Sequence, residues 1–347
     1  LKKSQWQRLF FMIGLATTAL FLMLTLPTMA IKKETRKIPG LANGEARSRP
    51  LVIAISPKSL DNPLFVEAKE AAELTARQCN VVLEWVAPFK VDPATQARII
   101  EGLIRRKVDG IAVSCSDPQW IRGVLDKAVA AGIKVATIDA DCPGSKRLFY
   151  CGTNNYRAGW ACGQAMVRLV TARGLAGKKL TTAILTGGLQ AYNLNERIRG
   201  FKEATDGKIQ LDYTALLSCD DDTALGAKVV EAYIKNHPET DVFFFAGGWA
   251  FFGPTESMPF YQEWCNRGGI AVSMDTSYPV LQAAKKGFAQ ALVGQDFREM
   301  GELTVSYLVC AIKGLPIPSQ FIETQLEFAT RADFDRLLKI KKPLEMK

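Results

Sequence analysis

From residue 51 onward, short apolar runs alternate with segments whose apolar positions recur every three to four residues. That alternation predicts strands and amphipathic helices in turn, wound as a mostly parallel sheet. In the first half the predicted strands are residues 51–55, 81–86, 110–115, 134–139 and 148–151, with helices over 64–79, 93–106 and 119–131. The rhythm restarts near Thr153, with helices over 156–172, 195–204, 223–236, 255–266 and 280–286. Strands over 180–185, 209–217, 242–246, 270–274 and 289–293 fall between or after them. A helical pattern over 299–313 and an extended segment over 321–328 close the series. The fold class is therefore α/β, with two doubly wound, Rossmann-like lobes joined by a hinge and separated by a cleft. Residues 51–153 with 296–324 would form an N-terminal lobe, and 154–295 with 325–347 a C-terminal lobe.

The first thirty residues break this rhythm. Lys2, Lys3 and Arg8 precede an uncharged stretch ending Leu26-Pro27-Thr28-Met29-Ala30. That is the layout of an export signal, and small residues at Thr28 and Ala30 suggest cleavage after Ala30. The apolar stretch also approaches the length that spans a bilayer, so an uncleaved membrane anchor stands as the second reading. Either reading places the rest of the chain in the periplasm or elsewhere outside the cytoplasm, with residues 31–50 as a linker.

A net charge of +9 on 347 residues is spread along the chain, and its basic runs lack interleaved aromatics. Nucleic acid is not an expected partner, and the membrane enters only through the N-terminal segment. The single His, His237, sits in a His-Pro-Glu-Thr turn, and none of the eight cysteines forms a CxxC pair, so no metal and no cofactor is expected. Cys142 and Cys151 flank a short loop; a disulfide between them and two small buried thiols are both open. No GxSxG or GxGxxG motif occurs, and Gly174-Leu175-Ala176-Gly177-Lys178 is too short for a P-loop. The chain reads as a binding protein, not an enzyme.

Ligands of open α/β sheets bind beyond the carboxyl ends of the strands. The loops there carry Lys58, Asp61 and Asn62; Ser116 and Asp117; Asp139 and Asp141; Thr153, Asn154 and Asn155. The second half adds Asn195 and Arg197, Asp220 to Asp222, Gly247-Gly248-Trp249, Asp275 and Gln295. Planar carboxylates, amides and a guanidinium suit sugar hydroxyls, which both donate and accept, while aromatic faces suit the C–H faces of the ring. Each residue also has a plainer use, such as the cap that Asp222 offers a helix or a surface ion pair for Arg197.

Several segments in order carry a family resemblance: Asp61-Asn62-Pro63-Leu64-Phe65, Lys107-Val108-Asp109-Gly110-Ile111, Ile138-Asp139, Gly152-Thr153-Asn154-Asn155-Tyr156, Asn195-Glu196-Arg197-Ile198-Arg199-Gly200-Phe201, and Met274-Asp275 with Gln295. On these the chain resembles the type I periplasmic sugar-binding proteins of the ribose-binding group, which deliver substrates to ABC transporters. The resemblance implies ligand contacts at Asn62, Phe65, Asp139, Thr153, Arg197, Asp275 and Gln295, and a sugar-contacting lysine at Lys58. Asn195, Asp221 and Trp249 complete the candidate set. It further implies a monomer whose partners are a small sugar and a transporter permease, and capture by hinge closure. The alternative is a ligand-sensing domain, for a sugar or autoinducer, that signals to a membrane kinase or chemoreceptor. Ala140 stands where the ribose binder has an arginine, Gly248-Trp249 replaces an Asn-Asp pair, Asp221 sits near an aromatic position, and Leu64 replaces a stacking aromatic. These departures point away from ribose, toward a differently shaped or more substituted sugar stacked on Trp249.

Overall fold

The structure, a computed structural model, describes residues 49–342. The proposed signal or anchor, most of the linker and the last five residues lie outside the described residues. Two six-stranded sheets carry the fold. The first holds β1 (Leu51–Ser56), β2 (Val81–Trp85), β3 (Gly110–Val113), β4 (Lys134–Ile138), β5 (Phe149–Gly152) and β11 (Phe321–Glu323), in the order β11-β5-β4-β3-β1-β2. The second holds β6 (Lys179–Thr186), β7 (Gln210–Ser218), β8 (Val242–Phe245), β9 (Ile270–Met274), β10 (Ala291–Gln295) and β12 (Leu326–Thr330), in the order β12-β10-β9-β8-β6-β7. The two orders correspond strand for strand. β4 in one sheet therefore answers to β9 in the other, and β5 to β10.

The inner strands β3, β4, β8 and β9 are buried along nearly their whole length, as unbroken apolar runs between two helical layers should be. Helices α1 (Leu64–Cys79), α2 (Pro93–Arg105) and α3 (Pro118–Ala130) follow the first three strands. Helices α4 (Asn155–Ala172), α5 (Tyr192–Thr205), α6 (Thr223–Asn236), α7 (Pro259–Asn266) and α8 (Tyr278–Lys285) belong to the second series, and α9 (Phe297–Ile312) and α10 (Phe334–Lys341) end the chain. Asp92 and Asp117 cap α2 and α3 by accepting from Thr95 and Gln119 amides, each with proline at the first helical position. Asn154, Asp222 and Asp296 cap α4, α6 and α9 in the same manner.

Three differences from the periodicity matter for the site. Helix α5 starts at Tyr192 instead of residue 195, which puts Asn193 on the helix, one turn before Arg197 and on the same face. Helix α9 starts at Phe297 instead of residue 299. The extended tail divides: β11 pairs parallel with β5, and β12 pairs antiparallel with β10 in the other sheet. The chain thus passes between the sheets at Thr324 and Gln325, where no residue pairs in either sheet. Helix α10, unmarked by the sequence reading, buries Phe334 and Leu337.

Candidate functional site

Polar groups converge on a pocket where the strand ends of the two sheets face each other. From the first lobe come Lys58, Asn62, Leu64, Phe65 and Asp139; from the second, Asn193, Arg197, Asp221, Trp249 and Asp275; Gln295 and Phe297 stand at the junction.

Asp139 and Asp275 occupy corresponding places, each immediately after its strand. Both take the left-handed backbone region, at φ 61° and 74°. Aspartate tolerates that region better than most side chains, and the turn it makes ends the strand with the residue lining the pocket. Asp139 Oδ2 accepts from the Ser114 hydroxyl at 2.7 Å. Burial pushes its carboxyl above the usual range, against the opposing pull of the Lys58 ammonium. Asp275 accepts from the Gln295 amide at 2.8 Å and from the Gly248 N–H at 2.9 Å.

Arg197 is buried and spends its guanidinium on three elements. It donates to Asn155 Oδ1 at the start of α4, to the Ala246 carbonyl after β8, and to Gln295 Oε1 after β10. Gln295 Oε1 also accepts from the Thr153 hydroxyl at 3.1 Å. Tyr150 extends the chain of bonds, with its hydroxyl against both the Asp139 and Thr153 carbonyls. One buried network therefore runs from Asp139 through the lobe junction to Arg197, Gln295 and Asp275. Such a network holds its members in one geometry because each bond broken leaves a buried polar group unpaired.

Arg197 reaches this place because α4 and α5 approach closely. A methyl group at Gly159 would stand 1.9 Å from the Arg197 carbonyl oxygen, and one at Gly200 would stand 2.1 Å from the Tyr156 carbonyl oxygen. Trp249 sits in a socket made the same way. A methyl at Gly187 or Gly247 would come within 2.4 or 2.5 Å of its indole ring. The ring is 6% exposed and belongs to the second lobe's apolar core, so it forms the pocket wall and does not stand in the mouth of the cleft. Across from it, Phe65 is fixed by an edge contact with Phe297, 5.9 Å between ring centroids.

Two contacts bridge the lobes over the pocket. The Lys58 ammonium lies 3.5 Å from both Asp221 Oδ2 and Asn193 Oδ1, and Lys90 pairs with Asp222 at the rim. Asp220 and Asp221 are consecutive left-handed residues, at φ 51° and 56°. That turn directs neighbouring carboxylates toward two lysines of the other lobe.

Nine of the eleven candidate residues, Lys58, Asn62, Phe65, Asp139, Arg197, Asp221, Trp249, Asp275 and Gln295, line the pocket. Two do not. Thr153 is fully buried and spends its hydroxyl on Gln295, beneath the pocket wall. Asn195 is exposed and donates to the Leu189 carbonyl, while Asn193 takes the place expected of it. Arg197 was the available signal: position 193 shares its helix face at i−4, and position 195 does not. Phe297 was missed because it precedes the expected start of α9. Asn62 also caps, since its Oδ1 accepts from the Leu64 N–H at 3.0 Å, which leaves its NH2 for the pocket.

Among the described residues no group of three His, Cys, Asp or Glu side chains is arranged to hold a metal ion. No described helix is long and apolar enough to cross a membrane. The thiols of Cys142 and Cys151 are free, and so are the other six.

The sequence profile of a family described as periplasmic binding protein domain matches residues 53–316. The ribose import binding protein RbsB of Bacillus subtilis is 25% identical over 264 residues, 75% of this chain and 81% of that protein. The solved structure of an ABC transporter solute-binding protein from Burkholderia graminis, in complex with D-arabinose, is 31% identical. It covers 83% of this chain and 98% of its own, with a TM-score of 0.74. GanP, a glucose-galactose binding protein from Geobacillus stearothermophilus, is 25% identical, covers 82% and 99%, and also has a TM-score of 0.74.

Proposed function

Because the chain belongs to the type I periplasmic sugar-binding proteins, we propose that it captures a single monosaccharide or related polyol between its lobes and delivers it to an ABC transporter. The observation that carries this reading is the pair of corresponding carboxylates, Asp139 and Asp275, that line one pocket, with Asp275 held through Gln295 to Arg197. Carboxylates accept from sugar hydroxyls, while the Arg197 guanidinium, the Asn62 and Asn193 amides and the Lys58 ammonium donate. Phe65 and Trp249 close the two apolar sides.

Capture follows from where these groups reside. A sugar bound to one lobe gains the other lobe's contacts only when the lobes close, and this difference in affinity shifts the population toward the closed form. Its hydroxyls would compete with Asp221 and Asn193 for Lys58, so ligand contacts replace long protein contacts. Leu64 replaces a stacking aromatic of the first lobe and the Trp249 wall supplies a ring from the second, which favours a differently shaped or more substituted sugar over ribose. Delivery to a transporter rests on the relatives, named for ribose import and as a solute-binding protein of an ABC transporter. Location outside the cytoplasm rests on the same relatives.

A thermal-shift screen of pentoses, hexoses and sugar alcohols tests the proposal. One or a few compounds should raise Tm in a concentration-dependent way. A flat response across all three classes would refute sugar capture.

A further inference from the structure

Cys142 faces a different thiol from the one its loop suggests. Cys151 lies in β5 and directs its thiol to the Met300 carbonyl, 3.8 Å away, and burial pushes its pKa up to about 12. Cys142 instead shares the apolar cluster between the first sheet and helices α2 and α3 with Cys115. There Cys142 and burial together push the Cys115 thiol up, so the two sulfurs are near enough to act on each other. Their backbones are also neighbours, since the Cys115 N–H donates to the Ala140 carbonyl at 2.9 Å. Both residues are nearly inaccessible, at 3% and 0% exposure. Of the remaining thiols, Cys162 lies against the Met274 sulfur at 3.6 Å, and Cys219 belongs to the apolar core of the second lobe.

We propose that Cys115 and Cys142 close a disulfide when the chain folds in an oxidising compartment, tying the loop after β3 to the loop after β4 behind Asp139. The pairing rests on the proposed location outside the cytoplasm, where disulfides persist. One thiolate attacks the disulfide of a donor, glutathione disulfide or a protein disulfide, and expels one donor thiol. The second thiolate then displaces the other donor thiol from the mixed disulfide. In sum two thiols lose two protons and two electrons, and the donor disulfide gains them as two thiols. Because both sulfurs are buried in the folded protein, the exchange belongs to the folding chain.

The link matters to the pocket through the next residue. Ser114, adjacent to Cys115, donates to the Asp139 carboxylate, and Asp139 lies three residues before Cys142. Cross-linking the two loops fixes donor and acceptor in one corner. It also closes a chain loop long enough to restrict the unfolded ensemble strongly.

The test is refolding of the full chain from a reduced, denatured state in a glutathione redox buffer, with the compact fraction isolated by size exclusion. Free thiols are then alkylated in denaturant, and the unreduced digest is read by mass spectrometry. The expected result is one peptide pair joining Cys115 to Cys142, with the other six cysteines alkylated. Eight alkylated cysteines, or a Cys142 to Cys151 pair, would overturn the proposal. A Cys115→Ala chain should leave Cys142 alkylated; a new partner for Cys142 would show that proximity to Cys115 does not select it. Refolding involves no export, so failure here leaves the location untouched. Fractionation of cells making the full chain decides the location separately.

Discussion

Asp139 carries the clearest pH signature of any single residue. Burial raises its carboxyl above the usual range, with Lys58 pulling in the opposite direction. A group with a raised folded pKa makes the empty protein lose stability as pH rises through the window between its unfolded and folded values. Sugar hydroxyls donate to the ionised form, so affinity should move the opposite way, falling as pH drops through the same window. Urea midpoints of the empty protein and Trp fluorescence titrations with sugar, each followed from pH 7 downward, check both signs. Affinity that stays constant as the pH falls would remove Asp139 from the ligand contacts. Arg197 makes a different prediction, because its three acceptors would be left without it. Arg197→Ala should cost about 3 kcal/mol or more in urea-measured stability, and Arg197→Lys less. Residue chemistry was largely legible in the sequence because left-handed aspartates at strand ends leave a simple trace, an apolar run followed by Asp. The early start of α5 was not. An extra turn before residue 195 leaves no mark in the apolar pattern, and so Asn195 stood in for Asn193.

At the scale of elements, close packing of α4 on α5 is what delivers the guanidinium to the pocket. Gly159→Ala would place a methyl 1.9 Å from a backbone oxygen, and backbone cannot rotate away as a side chain can. The substitution should destabilise the fold by about 2 kcal/mol or more in urea titration and weaken sugar binding through displacement of Arg197. The interlobe contacts separate by burial. Lys90 is exposed where it meets Asp222, so Lys90→Ala should change sugar affinity less than about threefold. Lys58 and Asp221 are buried, and Lys58→Met should weaken binding by about tenfold or more in calorimetry, since it removes a pocket donor and isolates a carboxylate. Periodicity marked nine of the ten described helices and the first ten strands, but the tail did not divide in the sequence. Residues 321–328 read as one extended segment because Thr324 and Gln325, where the chain changes sheets, are unremarkable in hydropathy.

The described residues form two corresponding α/β lobes with a polar network at their junction and a pocket between their strand ends. In the proposed capture each lobe alone offers part of the donors and acceptors, and closure would supply the rest. The Trp249 indole, expected as a stacking platform for the sugar, is a buried wall held by glycines. Sequence shows the ring and the glycines but not that they occupy the same space. If the two lobes enclose one sugar with carboxylates from both, calorimetric titration with the best sugar from the panel at neutral pH should show saturable binding of one sugar per wild-type chain and at least about tenfold weaker binding by Asp139→Asn. Equal affinity in the two proteins, or no saturable heat in the wild type, would refute enclosure by both carboxylates.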